Sequence, residues 1–235
     1  MAMMKKLAMA MAGAALVSLG ATYLNTQTAE AAIFAVGDSG SWSTGSNTME
    51  SEGFNMVTVS DSPAPELSSV SALSSPFGDL TFSSDAQELV VGSYWKTWSN
   101  GYNGEVYYNE GNTSFQITLP DDIVAFDLYL QPEQFNMFDI ELTGMNGATT
   151  TASLSQSIAG NGGAQYFGFY ATNGDTLKTI TITDKSGGAA NGFAVAQLRV
   201  AHVPEPMTIG GSIFALAFGL HMRKKRASKN ASLKS

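Results

Sequence analysis

Aromatic side chains cluster in one short segment of this 235-residue chain: Tyr94, Trp95, Trp98 and Tyr102 lie close together, and polar and glycine residues separate them. Sugar rings stack on exposed Trp and Tyr because their CH-rich sides match an aromatic face. Interleaved Ser, Asn and Gly residues are typical of a loop. The four aromatics are therefore a candidate glycan-binding site, and the alternative is that Trp95 and Trp98 fill the core.

Carboxylates form the second group that could carry chemistry. Asp121, Asp122 and Asp127 lie close together in the sequence, and calcium takes six to eight oxygen ligands from carboxylates and carbonyls. No EF-hand or nonapeptide calcium-binding spacing is present. The acids therefore indicate either a structural calcium site or a solvated acidic face, and a glycosidase pair is easy to nominate and hard to justify among so many acids.

The residues that most hydrolases require are scarce. The chain has no cysteine, and its two histidines are His202 and His221, near the carboxyl end. A Ser-His-Asp triad or a histidine zinc site needs imidazole as base or ligand. We therefore expect a protein that is not an enzyme, with no cofactor other than the calcium considered above.

Negative charge is concentrated between residues 32 and 203, where the sequence has 18 acidic residues and four basic ones. Binding to a phosphate backbone depends on Lys and Arg neutralising phosphates. Nucleic acid is therefore excluded as an expected partner. An acidic surface instead suits solubility and contact with cations.

Short segments with a period of two lie between these groups and must position them. Each is rich in β-branched or aromatic residues and bounded by Gly, Asn, Asp, Ser or Pro. The predicted strands are 54–60, 88–92, 105–109, 114–119, 124–130, 138–143, 149–154, 165–170, 177–183 and 193–200. Leu177 is out of step with the alternation that follows it, which predicts a β-bulge near Lys178.

The strand pattern predicts an all-β fold: an antiparallel, jelly-roll-like β-sandwich over residues 32–203, long enough for one domain. The segments before about residue 80 are rich in Ser, Gly and Pro, so we expect long surface loops there. The glycines at 160, 162 and 163 and at 187 and 188 predict hairpin turns.

The amino-terminal segment has the layout of a secretory signal peptide. Lys5 and Lys6 precede an apolar run, and Ala29 and Ala31 form a small-x-small cleavage site. We therefore expect signal peptidase to remove residues 1–31.

The carboxyl-terminal segment combines three features in a fixed order. Pro204, Glu205 and Pro206 lead into an uncharged apolar stretch over 207–222, and a basic cluster follows: Arg223, Lys224, Lys225 and Arg226. The apolar stretch can enter a membrane as a helix, and basic residues after it would hold that end in the cytoplasm.

Residues 204–235 resemble the PEP-CTERM sorting signal of exported bacterial proteins, and the strand order before them looks like the β-sandwich ectodomains that often precede it. The resemblance implies an exosortase substrate: an exosortase-type membrane peptidase recognises Pro204, Glu205 and Pro206, and an inner-membrane intermediate passes to the cell surface or exopolysaccharide. The main expectation is therefore a non-enzymatic surface protein, and the alternative is an extracellular carbohydrate-binding module.

Overall fold

The computed structural model describes residues 32–37, 48–147 and 150–203. Eleven strands form in this part of the chain: β1 Ala32–Gly37, β2 Val57–Thr58, β3 Ser69–Ser75, β4 Gly78–Val90, β5 Glu105–Glu110, β6 Ser114–Pro132, β7 Met137–Met145, β8 Thr151–Ala159, β9 Gln165–Thr172, β10 Leu177–Asp184 and β11 Gly192–His202. All strand pairings are antiparallel. The predicted all-β antiparallel fold is confirmed.

The strands form two layers, and two long strands, β4 and β6, take part in both. The first part of β6 pairs with β4 and β10, whereas its second part pairs with β9 and β11. β4 likewise pairs with β6 through Thr81 and Phe82 and with β5 through its last four residues. One layer therefore runs β8-β7-β10-β6-β4-β3, and the other runs β1-β9-β6-β11-β5-β4, with β2 on β11.

The core lies between these layers. The inward-facing side chains of both layers belong to one buried cluster, and the rings of Phe115 on β6 and Phe193 on β11 meet at 6.3 Å. A Cβ at Gly144 of β7 would lie 2.7 Å from the ring of Phe169 on β9. The layers are therefore packed in close contact, as the alternation of apolar residues requires.

The bend in β6 comes at Asp122, one of the candidate calcium ligands. Pro120 and the two aspartates after it were expected to separate two strands, yet pairing resumes at Ile123. Asp122 has a φ of 59°, a left-handed conformation that Asp tolerates better than most residues, and its carbonyl accepts a hydrogen bond from Val203 N at 3.0 Å. One bent strand therefore replaces the two predicted strands.

The expectation of long loops before residue 80 is wrong in part. β3 and the start of β4 form an antiparallel hairpin around residues 76 and 77, with Leu73 opposite Leu80. Both leucines are buried, so packing overrides the loop-like Ser and Pro composition around them. The bulge predicted near Lys178 is confirmed, because the register of β10 shifts between Leu177 and Thr179.

A buried ion-pair network fixes β6 to β11. Arg199 donates to Asp127 through Nε at 3.0 Å and through a guanidinium nitrogen, and it also bonds Glu50. Tyr166 donates to the same carboxylate at 2.9 Å. The Asp127 side chain is fully buried and that of Arg199 nearly so, and these bonds supply the partners that a buried charge needs.

The terminal segments lie outside the described residues. These include the predicted signal peptide with Ala29 and Ala31, the Pro204, Glu205 and Pro206 motif, and the basic cluster from Arg223 to Arg226. Within the described ranges, no helix is long and apolar enough to cross a membrane.

Candidate functional site

The aromatic segment connects β4 to β5 and folds back on itself. Trp95 N donates to Val90 O at 3.2 Å, and Gly92 N donates to Trp95 O at 2.7 Å. The three consecutive side chains at this turn differ in exposure: Tyr94 is 59% exposed, Trp95 is 6% exposed, and Lys96 is exposed.

Gln131, at the end of β6, holds this segment in place. Its Oε1 accepts from Trp95 Nε1 at 3.2 Å, and its Nε2 donates to Thr97 Oγ1 at 2.6 Å and to the Gly160 carbonyl. The amide is buried with its oxygen and nitrogen both bonded. Gln131 therefore joins the aromatic segment, the β6 strand and the loop after β8 at one point.

The second half of the segment is fixed by a bulge in β11. Gln197 has a φ of 55° where the pairing of β11 with β6 shifts register between Ala196 and Arg199. Its Oε1 accepts from Trp98 Nε1 at 3.0 Å, and Ser99 Oγ donates to Ala164 O at 2.6 Å. The bulge therefore supplies a side-chain partner for the loop.

The connection from β6 to β7, residues 133–136, forms the facing wall. Gln134 N donates to Ala190 O at 3.3 Å, and Gly160 N donates to Asn136 O at 2.9 Å. Gly160 allows this approach, because a Cβ there would lie 1.8 Å from Gln134 O. These bonds present Phe135, which is 60% exposed, at the protein surface.

Together these segments enclose an open cleft of about 1050 Å³. Ligand-binding clefts commonly measure about 300–1,000 Å³, so this one has room for several sugar rings. Its lining consists of Tyr94, Trp95, Lys96, Thr97, Gln131, Glu133, Gln134, Phe135, Asn136, Phe138, Gly160, Gly188, Ala189 and Asn191. Exposed aromatic rings beside amides, a carboxylate and an ammonium group are the chemistry that stacks and hydrogen-bonds a polar ring.

The four aromatics singled out in the sequence take different positions. Tyr94 alone among them presents an exposed ring to the cleft, whereas Trp95 lines the cleft wall from a buried position against Tyr108. Trp98 and Tyr102 are partly buried against the same small cluster, and Tyr102 OH donates to Glu105 O. The two tryptophans therefore act mainly in packing, which was the alternative interpretation of the sequence.

Sequence reasoning missed most of the facing wall. Phe135, Asn136, Glu133 and Asn191 line the cleft, and none was singled out. Phe135 carried a usable signal, because it is a lone aromatic in a polar connection between two strands. Asn191 carried none, since its place depends on β10 and β11 meeting at this end.

The glycine-rich connections also differ from expectation. Residues 160–164 join β8 to β9, and residues 185–191 join β10 to β11. Neither pair of strands is hydrogen-bonded to each other. They are therefore not hairpin turns: each connects two strands that do not pair with each other, and each helps to form the cleft.

Electrostatics in the cleft centre on Glu133. Its carboxylate accepts from Gln134 Nε2 at 3.1 Å and from Asn191 Nδ2. Burial, followed by the charge of Glu133, raises the pKa of the Tyr108 hydroxyl above its usual range. Tyr108 therefore stays protonated and donates to Asn191 O at 2.9 Å, which fixes the cleft wall.

The candidate calcium ligands do not come together. Asp121 is exposed and bonds Lys178 at 2.6 Å, Asp122 is exposed at the bend of β6, and Asp127 is buried against Arg199. The hydrogen bond and charge of Lys178 lower the pKa of Asp121. In the described ranges no group of three or more acidic or histidine side chains is placed to hold a metal ion.

A second, smaller cavity of about 120 Å³ lies against β11, between Asp61, Tyr102 and Tyr107. Burial raises the pKa of Asp61, and the Tyr107 hydroxyl accepts from Ser62 N at 2.9 Å. The volume is well below that of a cavity for a sugar ring. The larger cleft is therefore the better candidate for a ligand site.

No protein-family model matches the chain, and no curated protein sequence matches it. Among solved structures, it is similar to the CBM22-1–GH10 modules of a Clostridium thermocellum xylanase complexed with xylohexaose, at 11% identity and a TM-score of 0.33, covering 51% of this chain and 25% of that one.

A family 29 carbohydrate-binding module from Piromyces equi matches at 11% identity and a TM-score of 0.33, over 64% of this chain and 92% of that one. The C-terminal CBM6 of a laminarinase from Zobellia galactanivorans matches at 14% identity and a TM-score of 0.16, over 55% and 99%.

Proposed function

We propose that this protein binds a polysaccharide in the cleft between the β4–β5 and β6–β7 connections. The observation that carries the proposal is the placement of two exposed rings, Tyr94 and Phe135, in one polar cleft. Exposed aromatic surface of this kind marks an interaction site. We also propose that the fold is jelly-roll-like. The strands β4 and β6 each take part in both layers, and four connections between strands meet at the end where the cleft lies.

Removal of one ring at a time tests the cleft. Tyr94→Ala and Phe135→Ala should each weaken binding by about tenfold, equivalent to ~1.4 kcal/mol. Calorimetric titration of the mature protein, isolated from cells that express the whole chain, against host exopolysaccharide gives the affinities. Phe34→Ala is the matched control, because Phe34 is 45% exposed and stacks on Tyr170 instead of lining the cleft.

Equal affinities for all three variants would place binding elsewhere and contradict the proposal. The absence of catalysis stays a prediction, supported by the shortage of imidazole in the sequence. Incubation with the bound polysaccharide should release no new reducing ends. Their release would identify an enzyme that cleaves the polysaccharide, a hydrolase or a lyase, instead.

We further propose that the chain is exported and sorted to the surface through its carboxyl-terminal segment, by the resemblance of residues 204–235. The described fold ends at Val203, directly before Pro204, Glu205 and Pro206. Replacement of these three residues by Ala should leave the tail uncleaved in a host with an exosortase-type peptidase. Mass spectrometry of the carboxyl-terminal peptide measures this, and unchanged processing would reject the sorting proposal while leaving the cleft untouched.

A further inference from the structure

The described part of the chain is strongly acidic, with 17 Asp or Glu residues and four basic ones: Lys96, Lys178, Lys185 and Arg199. In so acidic a domain, each basic side chain has many carboxylates available as partners. The position of a basic residue that lacks a carboxylate partner therefore indicates that the residue contacts something else.

Three of the four basic residues are paired with carboxylates. Lys178 bonds Asp121 at 2.6 Å, Lys185 bonds Glu141 at 3.2 Å, and Arg199 bonds Asp127 and Glu50. Lys96 has no carboxylate within ion-pair distance among residues 32–37, 48–147 and 150–203, and it lines the cleft.

The Lys96 ammonium instead lies above the ring of Phe135, 5.7 Å from its centroid. A cation–π contact places the ammonium over the ring face, but the ring accepts no conventional hydrogen bond from its three N–H donors. A carboxylate that enters the cleft can accept charge-assisted hydrogen bonds from these donors.

The cleft's own carboxylate does not compete for this position. Glu133 is bonded to the amides of Gln134 and Asn191, and it makes no ion pair with Lys96. Tyr94, two residues before Lys96, is exposed, lines the same cleft and offers a ring for stacking. A sugar face and a neighbouring negative charge thus have separate partners.

We propose that the substrate class of the cleft is an acidic polysaccharide, with a uronate carboxylate bound by Lys96 while a sugar ring stacks on Tyr94. This inference rests on the proposed function. At physiological ionic strength, carboxylates more than about 8 Å from Lys96 oppose this binding only weakly, because their charges are largely screened.

Matched polymers test the inference. Polygalacturonate, alginate and glucuronoxylan are each compared with their carboxyl-reduced forms, which keep the sugar backbone and lose the charge. The mature protein from cells that express the whole chain is titrated with each at about 0.15 M salt. At least one acidic form should bind about tenfold more tightly than its reduced form.

Lys96→Gln should remove this preference, so that the variant binds the acidic and the reduced form with equal affinity. Lys178→Gln, which removes a paired cation that does not line the cleft, should keep the preference. A preference that survives Lys96→Gln would overturn the inference, and so would the absence of binding to every acidic polymer.

Equal binding of acidic and reduced forms would also overturn the uronate inference. If Tyr94→Ala then abolished both, the cleft would still be a glycan site and the proposed function would stand. Binding that Tyr94→Ala and Phe135→Ala leave intact would instead reject the proposed function itself.

Discussion

At the scale of single residues, the described basic side chains divide into structural and exposed ones. Arg199 is buried and holds Asp127, whereas Lys178 is partly exposed and its partner Asp121 is almost fully exposed. Removing one partner of a buried pair leaves an uncompensated charge, whereas an exposed pair contributes little. The two ion pairs therefore differ in their effect on stability.

Arg199→Met should lower the free energy of unfolding by about 3–5 kcal/mol, and Lys178→Met should lower it by less than about 1 kcal/mol. Chemical denaturation of the two variants measures both values. Similar losses would contradict the view that the buried network matters more.

The loss in Arg199→Met should also depend on pH. Burial raises the pKa of Asp127 from 3.8 to about 6 even beside Arg199, and removal of the guanidinium should raise it further. A folded-state pKa above the unfolded value means that the carboxyl's contribution to stability falls as pH rises between the two values. The variant should therefore lose more stability at pH 8 than at pH 5, and a loss independent of pH would show that Asp127 does not titrate in this window.

At the scale of elements, the cleft depends on where loops meet rather than on a single motif. The loop after β8 comes closest to the β6–β7 connection at Gly160, where a Cβ would have no space beside the carbonyl of Gln134. The connection that carries Phe135 is held by this contact and by bonds to residues 190 and 192.

Gly160→Ala should displace residues 133–136, destabilise the fold by about 1–3 kcal/mol and weaken polysaccharide binding by about tenfold, or ~1.4 kcal/mol. Gly174→Ala is the control: its φ is +83°, no atom lies within 4 Å of the added Cβ, and it is in the β9–β10 turn. It should cost about 1 kcal/mol and leave binding unchanged. Parallel loss of binding in both variants would show that the effect is general destabilisation.

The strands could be predicted from the local alternation of residues in the sequence, whereas the cleft could not. Ile180 lies in a segment whose alternation predicted the strand that it occupies, because a half-buried strand imposes a period of two. The burial of Trp95 could not be predicted, since a tight turn and the amide of Gln131 decide which way its ring faces. The hairpin of β3 and β4 was missed because tertiary burial of Leu73 and Leu80 outweighs local composition.

At the scale of the whole molecule, like charges repel across the surface. The chain has a formal net charge of −8, and net charge far from zero destabilises the compact state. Salt screens this repulsion over a Debye length that shortens from about 30 Å at 0.01 M to about 8 Å at 0.15 M.

Adding salt over this range should therefore raise the midpoint of thermal unfolding by about 2–4 °C, the shift for ~1 kcal/mol in a protein of this size. Differential scanning calorimetry at fixed pH measures the midpoint. A lower midpoint in salt would mean that the ion pairs of Lys178, Lys185 and Arg199 outweigh the surface repulsion.

Strand β11 lies where a pulling force between the cleft and the carboxyl end would pass through the molecule. Asn191, at the cleft, directly precedes this strand, and Val203 directly follows it. Hydrogen bonds to β5, β6 and β2 lie across β11, nearly perpendicular to its length, as in any antiparallel ladder. Tension between a ligand in the cleft and an anchored carboxyl end would run along one strand and load those bonds in shear, so that many must break together.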